Sequence, residues 1–173
     1  INVNDLVVRN NGVNQTSLFP GAFITVSGIM KHLEGLLNTQ DGIKFLNGAC
    51  LLHGASTPGI VPYVGGQLTG NIKFVTQGSE AIGVYNYWSS PVLNSPLSAI
   101  NSNGNSTGSL LNTYHYDASL ATSTTIQGLR QGWAHLDATD LMENGKGYIT
   151  TTGGSVLFNG NANDGTILIE PIE

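Results

Sequence analysis

Residues 42–49 read Gly-Ile-Lys-Phe-Leu-Asn-Gly-Ala, and this stretch contains the pattern that decides the fold. Ile43–Leu46 is a short strand candidate, with apolar and polar side chains at its first positions in alternation. Asn47-Gly48 follows it directly, and Asn-Gly adopts positive φ at little cost, which suits tight turns. A short strand that ends at such a turn predicts β-structure here.

The same combination of strand and turn recurs along the 173 residues. Dipeptides such as Asn11-Gly12, Asp41-Gly42, Gly65-Gly66 and Asn144-Gly145 separate the strand candidates. This punctuation predicts an all-β fold with at most one short helix. The strand candidates are Leu6–Arg9, Ala22–Val26, Ile43–Leu46, Ala49–His53, Asn71–Thr76, Val84–Trp88, Asn112–Tyr116, Gly132–Leu136, Gly147–Thr151, Ser155–Phe158 and Thr166–Ile169.

One segment leaves helix and strand equally open. Gly28–Thr39 carries apolar residues at positions 29, 30, 33, 36 and 37, which is helical spacing. Ser27 is a suitable N-cap for such a helix, but Gly35 in its middle costs about 1 kcal/mol relative to Ala. The alternative is a strand and a turn.

Short motifs repeat in the first half of the chain at offsets of 26 to 29 residues. Gly42-Ile43-Lys44-Phe45 resembles Asn71-Ile72-Lys73-Phe74, and Gly21-Ala22-Phe23-Ile24 resembles Gly48-Ala49-Cys50-Leu51. Such a period is typical of the stacked coils of a β-solenoid. The alternative is chance similarity among Gly-rich hairpins.

The chain divides by composition into two parts. Residues 1–78 form the Gly-rich part with the repeats, and residues 79–173 contain both tryptophans and longer loops. The second part suits an antiparallel β-sandwich or jelly roll. We therefore expect two packed parts with a boundary near residues 76–83.

Composition excludes several classes of function. The net charge is −5, with six Lys and Arg against eleven Asp and Glu, so there is no cationic footprint for nucleic acid. No apolar run is long enough for a membrane-spanning helix. The lone Cys50 excludes an intramolecular disulfide, and the apolar run Ala49-Cys50-Leu51-Leu52 predicts a small core residue, with a reactive thiol as the alternative.

A series of motifs in the second half resembles modules of large secreted and cell-surface proteins of Bacteroidetes, cargo of the type IX secretion route. The motifs, in order, are Val84-Tyr85-Asn86-Tyr87-Trp88-Ser89-Ser90-Pro91-Val92, Asn112-Thr113-Tyr114-His115-Tyr116-Asp117, Gly132-Trp133-Ala134, Met142-Glu143-Asn144-Gly145-Lys146-Gly147-Tyr148-Ile149, and Val156-Leu157-Phe158-Asn159-Gly160 with Asn163-Asp164-Gly165-Thr166-Ile167. The resemblance implies an extracellular β-rich module within a longer protein, with neighbouring domains as partners, and it implies no particular activity.

The aromatic residues of the second part are the candidate ligand-binding residues. Alternation along a strand puts Tyr85 and Tyr87 on one face and Trp88 on the other, while Tyr114 and Tyr116 share a face. If the tyrosine face points outward, these rings form a platform on which polysaccharide or cell-surface glycan stacks. If it points inward, Trp88 and Trp133 fill the core and the tyrosines lie at its edge.

No cofactor motif is present, and the one ion that the sequence favours is a structural Ca²⁺. Asn161, Asn163 and Asp164 are closely spaced oxygen donors, and Asp137 with Asp140 is a second acidic pair. The alternative is an ordinary turn. The four histidines show no metal-ligand spacing, and no Gly-x-Ser-x-Gly nucleophile motif occurs.

These observations predict a non-catalytic extracellular module with a structural or adhesive role in a surface protein. The alternative is a carbohydrate-binding module of a polysaccharide-degrading protein, and a hydrolase is the third possibility. Lys146, between Gly145 and Gly147, is expected to pair with Glu143 or Asp140 and not to act as a catalytic base.

Overall fold

The computed structural model describes residues 1–10, 15–52, 66–81, 84–101, 113–117, 132–136, 139–151 and 153–163. This part of the chain contains fifteen strands and one 3-10 helix at Leu97–Asn101, so the predicted all-β class is confirmed. No helix in it is long and apolar enough to cross a membrane. The strands are β1 Asn2–Val3, β2 Leu6–Arg9, β3 Thr16–Ser17, β4 Ile24–Val26, β5 Ile29–Glu34, β6 Leu36–Asn38, β7 Ile43–Phe45, β8 Cys50–Leu52, β9 Gln67–Thr69, β10 Asn71–Gly78, β11 Asn86–Trp88, β12 Thr113–Tyr116, β13 Trp133–His135, β14 Tyr148–Thr150 and β15 Gly154–Asn161.

The contacts divide the chain into two compact units. The first unit comprises Ile1–Thr76 with Pro91–Leu93 and Leu157–Thr166, and the second comprises Gln77–Ser90, Asn94–Val156 and Ile167–Glu173. The candidate strand Thr166–Ile169 lies outside the described residues.

The first unit is a parallel β-solenoid in which successive coils each add a strand to three sheets. The sheet orders are β1-β4-β7-β10-β15, β2-β5-β8 and β3-β6-β9. Every strand pairing resolved among β1 to β10 is parallel. Parallel neighbours cannot be joined by tight hairpins, so the structure selects the solenoid over the hairpin alternative.

The coils differ in length while the strand register stays aligned. The paired residues Asn2 and Thr25 are 23 positions apart, Ile24 and Ile43 are 19 apart, and Ile43 and Ile72 are 29 apart. The differences are absorbed at the corners between strands, because the strands themselves remain in ladder contact.

Identical or similar side chains stack in the solenoid core from coil to coil. Val26, Phe45 and Phe74 occupy one level, and Ile43 and Ile72 are paired at the next. Phe45 and both isoleucines are fully buried. The recurrent Ile-Lys-Phe motif therefore marks two strands that lie directly against each other.

The two Gly-Ala motifs form two separate turns of the same type, and they do not stack on each other in neighbouring coils. Ala22 N donates to Phe19 O and Ala49 N donates to Leu46 O, both at 2.9 Å. Gly21 and Gly48 have φ of +78° and +83°, which glycine adopts without strain. The first turn precedes a strand of the five-stranded sheet, whereas the second precedes β8 in another sheet, so this pair of motifs is not in register.

Gly28–Thr39 forms strands β5 and β6, so the helix alternative is wrong for this segment. Met30 and His32 of β5 are fully buried and lie opposite Leu6 and Val8 of the preceding coil. Gly35, with φ of +84°, forms the corner between the two strands. The corner interrupts the alternation of inward and outward side chains between β5 and β6. The apolar positions of the two strands taken together therefore have the spacing of a helix.

Cys50 is exposed at the start of β8, so its prediction as a core residue is wrong. It pairs with Ile29, which is also exposed, so both side chains lie on the outer face of their sheet. Because this run is apolar throughout, it has no alternation to indicate which of its members face the core.

The second unit contains an antiparallel sheet of order β11-β14-β12-β13. Its strands correspond to candidates named from the sequence, although β14 lies between β11 and β12. Leu97 and Ile100 of the 3-10 helix are buried, as is Met142. The second sheet of a sandwich stays a prediction, because it is not found among the described residues.

Candidate functional site

The antiparallel sheet sorts its side chains into two rows by alternation. Tyr87 lies opposite Ile149, which lies opposite Tyr114. One residue along, Trp88 lies opposite Tyr148, which lies opposite His115. Because successive residues of a strand point to opposite faces, the two rows belong to different faces of the sheet.

The face that carries Trp88 is the buried one. Trp88 is only 7% exposed, and its indole Nε1 donates to the buried Thr150 Oγ1 at 2.9 Å. Asn86, two residues earlier, is also buried and accepts from Ser79 N at 2.7 Å while its amide donates to Ser79 O at 3.0 Å. Trp88 is therefore placed away from the tyrosines and has little surface to offer a ligand.

The opposite face carries Tyr87, Tyr114, Tyr116 and Trp133, and we call it the aromatic face. Tyr87 is 76% exposed and Tyr116 is 49% exposed, whereas Tyr114 and Trp133 are half-buried. Tyr116 and Trp133 are cross-strand partners whose rings meet edge to face, with centroids 5.3 Å apart and planes inclined by 71°. The candidate Tyr85 is exposed and lies just before β11.

Gly132 permits the Tyr116 ring to lie where it does. Its φ is +81°, and a Cβ at this position would lie 2.4 Å from Tyr116 Cε2. The ring therefore packs over the glycine backbone at the start of β13. Any other residue would displace the ring from its edge-to-face contact with Trp133.

Tyr87 and Tyr114 are two strands apart in the sheet, and not on neighbouring strands. β14 separates β11 from β12, so Tyr87 and Tyr114 are about 10 Å apart at a strand spacing of about 4.8 Å. Ile149 lies between them and is buried. Ile149 is therefore covered, and the accessible surface of this face belongs to the aromatic rings on either side of it.

A polar cluster borders the buried face around β14. Lys146 Nζ lies 2.9 Å from Glu143 Oε1, which confirms the predicted pair. Glu143 N donates to Tyr148 OH at 2.7 Å, and burial raises the pKa of Tyr148. Burial, and next the charge of Lys146, lower the pKa of His115 below 6.5. These contacts connect the turn at 143–147 to the sheet.

The predicted calcium ligands lie in separate places where the structure describes them. Asn161 and Asn163 belong to the first unit, with Asn161 O accepting from Leu93 N and Asn163 N donating to Pro91 O. Asp140 belongs to the second unit and is exposed. Asp137 and Asp164 lie outside the described residues. Within the described ranges no three His, Cys, Asp or Glu residues come together to hold a metal, and a Ca²⁺ site stays a prediction.

The sequence patterns did not predict one further group, on the outer face of the five-stranded sheet. Lys44 and Lys73 occupy paired positions on β7 and β10, and the Lys73 ammonium lies 5.8 Å from the centre of the Phe23 ring. The recurrent Ile-Lys-Phe motif was the signal that would have identified them. Both copies put Lys between two inward-facing residues, which places the lysines side by side outside.

Comparison with known proteins finds no matching family model, curated protein or solved structure.

Proposed function

We propose that this chain is a non-catalytic adhesive module of an extracellular, cell-surface protein, and that it binds carbohydrate through the aromatic face. The observation that carries the proposal is the outward position of Tyr87 and Tyr116 on the face opposite the buried Trp88. Exposed clusters of large apolar side chains usually mark a binding surface. The resemblance to Bacteroidetes surface modules agrees with this assignment and is part of the proposal.

The chemistry of the face suits a neutral glycan. Residues 81–116 contain no Asp, Glu, Lys or Arg, so β11, β12 and the connection between them bring no side-chain charge to the face apart from histidine. Tyrosine rings offer a flat apolar surface to the C–H groups of a sugar ring, and their hydroxyl groups hydrogen-bond with sugar hydroxyls. Ile149, between Tyr87 and Tyr114, is buried, so a sugar ring contacts the flanking exposed tyrosine rings rather than Ile149.

The experiment is a binding screen of the full chain on a glycan array, followed by affinity electrophoresis with soluble neutral polysaccharides. Tyr87→Ala and Tyr116→Ala should each weaken binding roughly tenfold, as expected for losing the burial of one ring. Phe19→Ala, which removes an exposed aromatic ring of the first unit, is the matched control and should bind normally. Unchanged binding by both tyrosine variants would contradict the assignment, as would release of reducing sugar ends from a bound polysaccharide.

A second candidate is a purely structural spacer, and the solenoid favours it. Coils stacked in parallel form a rigid rod-like element without any ligand. Absence of binding to every glycan on the array, with the chain folded, would favour this role over the adhesive one.

A further inference from the structure

The outer face of the five-stranded sheet carries a row of aligned side chains, which we call the lysine row: Thr25, Lys44 and Lys73. They are direct partners on three neighbouring parallel strands. Their neighbours in sequence, Ile43 with Phe45 and Ile72 with Phe74, pair with one another across the coils, and Ile43, Phe45 and Ile72 are buried. Alternation therefore directs the two lysines outward, with backbones about 4.8 Å apart.

Two like charges directly opposite each other on a sheet destabilise it. Among the described residues the ion pairs are Arg9–Glu34 and Lys146–Glu143, and neither Lys44 nor Lys73 joins them. The flanking outer positions Asn2 of β1 and Ser155, Leu157 and Asn159 of β15 are uncharged. The sheet therefore concentrates two of the six cations of a chain with net charge −5 in one place, and neither forms an ion pair with a described carboxylate. The Asp41 carboxylate, at the turn before β7, accepts from Asn71 N at 2.9 Å instead.

An aromatic ring completes the surface. Phe23 is 61% exposed, and the Lys73 ammonium approaches its ring centre to 5.8 Å. Phe23 directly precedes β4, and β7 lies between β4 and β10 in the sheet, so the Lys73 side chain extends across β7 toward Phe23. A ligand here meets two ammonium groups and one flat apolar ring.

We propose that the lysine row and Phe23 bind an acidic polysaccharide of the polyuronate type. Each uronic acid unit joins a carboxylate to a sugar ring, so it supplies both an anion for an ammonium group and a C–H face for Phe23. Lysine pairs with a carboxylate as a compact point charge and needs no fixed fork geometry. The hydroxyl of Thr25 adds a polar contact at the end of the row.

Charge complementarity favours this occupant over an anionic membrane. Each cation near an anionic bilayer contributes only about 1 kcal/mol, and stable attachment needs a larger cluster than two lysines. A repeating polyanion with carboxylates along its length matches the short row better. This surface is separate from the aromatic face, and the proposal does not depend on the neutral-glycan assignment.

The test is affinity electrophoresis of the full chain in gels containing sodium polygalacturonate. The wild-type chain should be retarded, and retardation should decrease with added salt because the contacts are ionic. Lys44→Gln and Lys73→Gln should each weaken binding by up to about fivefold, the loss expected for one exposed ion pair. Lys31→Gln, the matched control on the sheet of β2, β5 and β8, should bind as the wild type does, as should the charge-preserving Lys44→Arg.

Four results would overturn the proposal. They are the absence of retardation, equal retardation by fully methyl-esterified polygalacturonate, an equal loss in Lys31→Gln, and tighter binding to polyglutamate or to phosphatidylserine vesicles. Tyr87→Ala should leave polygalacturonate binding intact, so failure here is distinguishable from failure of the neutral-glycan assignment. Thermal melts of each variant establish that it is folded before binding is compared.

Discussion

The rings of Phe45 and Phe74 stack across neighbouring coils of the solenoid, with centroids 4.3 Å apart and planes inclined by 12°. The two residues are register partners on β7 and β10, and Phe45 is fully buried. Because each coil of a solenoid packs mainly on its neighbours, this pair joins the third coil to the fourth.

Phe45→Ala should therefore lower the free energy of unfolding by about 3–5 kcal/mol, the usual range for deleting a buried phenylalanine. Phe19→Ala is the control, since Phe19 is 85% exposed, and should change stability by less than about 0.5 kcal/mol. Urea unfolding followed by far-UV circular dichroism measures both. Equal midpoints for the two variants would show that the stack does not support the core.

Gly78→Ala should destabilise the second unit by about 1–3 kcal/mol, the range for overpacking a close-packed site. A Cβ at Gly78 would lie 2.7 Å from Trp88 Cζ2 and 2.8 Å from Asn86 Oδ1, so a buried ring would have to move. Gly147→Ala is the control, because no atom lies within 4 Å of the added methyl group. Denaturant midpoints from tryptophan fluorescence give the comparison. If Gly78→Ala were as stable as the wild type, the Trp88 ring would not pack against Gly78.

Lys146→Met should lower stability by no more than about 1 kcal/mol, because its pair with Glu143 is largely exposed. The same variant should raise the pKa of His115 toward 6.5, since the charge of Lys146 is the second cause of its lowering after burial. An NMR titration of the His115 ring measures this shift. Lys44→Met is the control and should leave the His115 pKa unchanged. An unchanged His115 pKa in Lys146→Met would show that the charge of Lys146 does not act on this ring.

His115 should make stability depend on pH below neutrality. Its pKa is lowered in the folded protein, so the unfolded chain binds the proton more tightly. The contribution of His115 to the free energy of unfolding is therefore greatest above pH 6.5, and it is lost as the pH falls from there through the pKa of the folded protein. His115→Gln should lack this contribution, giving a shallower decrease than the wild type in parallel urea titrations. Identical slopes would contradict a lowered pKa.

The sequence predicted the strands better than it predicted their partners. Turn dipeptides such as Asn47-Gly48 locate strand ends because they report local backbone preference. The sequence did not predict the short strands β1, β3, β6 and β9 as separate strands, because two or three residues are too few to show a periodic pattern. Each of these strands pairs with a strand of a neighbouring coil, and that partner is many residues away in the sequence.

The candidate site shows the same division between local and distant information. Alternation correctly put Tyr87 and Trp88 on opposite faces, because that rule needs only neighbours in sequence. It could not place β14 between β11 and β12, because strand order is set by packing of the whole sheet. The pairing of Lys44 with Lys73 likewise depends on coils 29 residues apart.

The unequal coils also determine how the solenoid responds to mechanical tension. Hydrogen bonds between parallel strands run along the direction in which the coils stack, so a pull in that direction loads every coil interface at once, and the weakest separates first. Coils of 19 to 29 residues release roughly 60–100 Å of chain each, at about 3.3–3.6 Å per extended residue. A solenoid pulled from both ends therefore lengthens in discrete steps of different size, and each step dissipates work before the next interface separates.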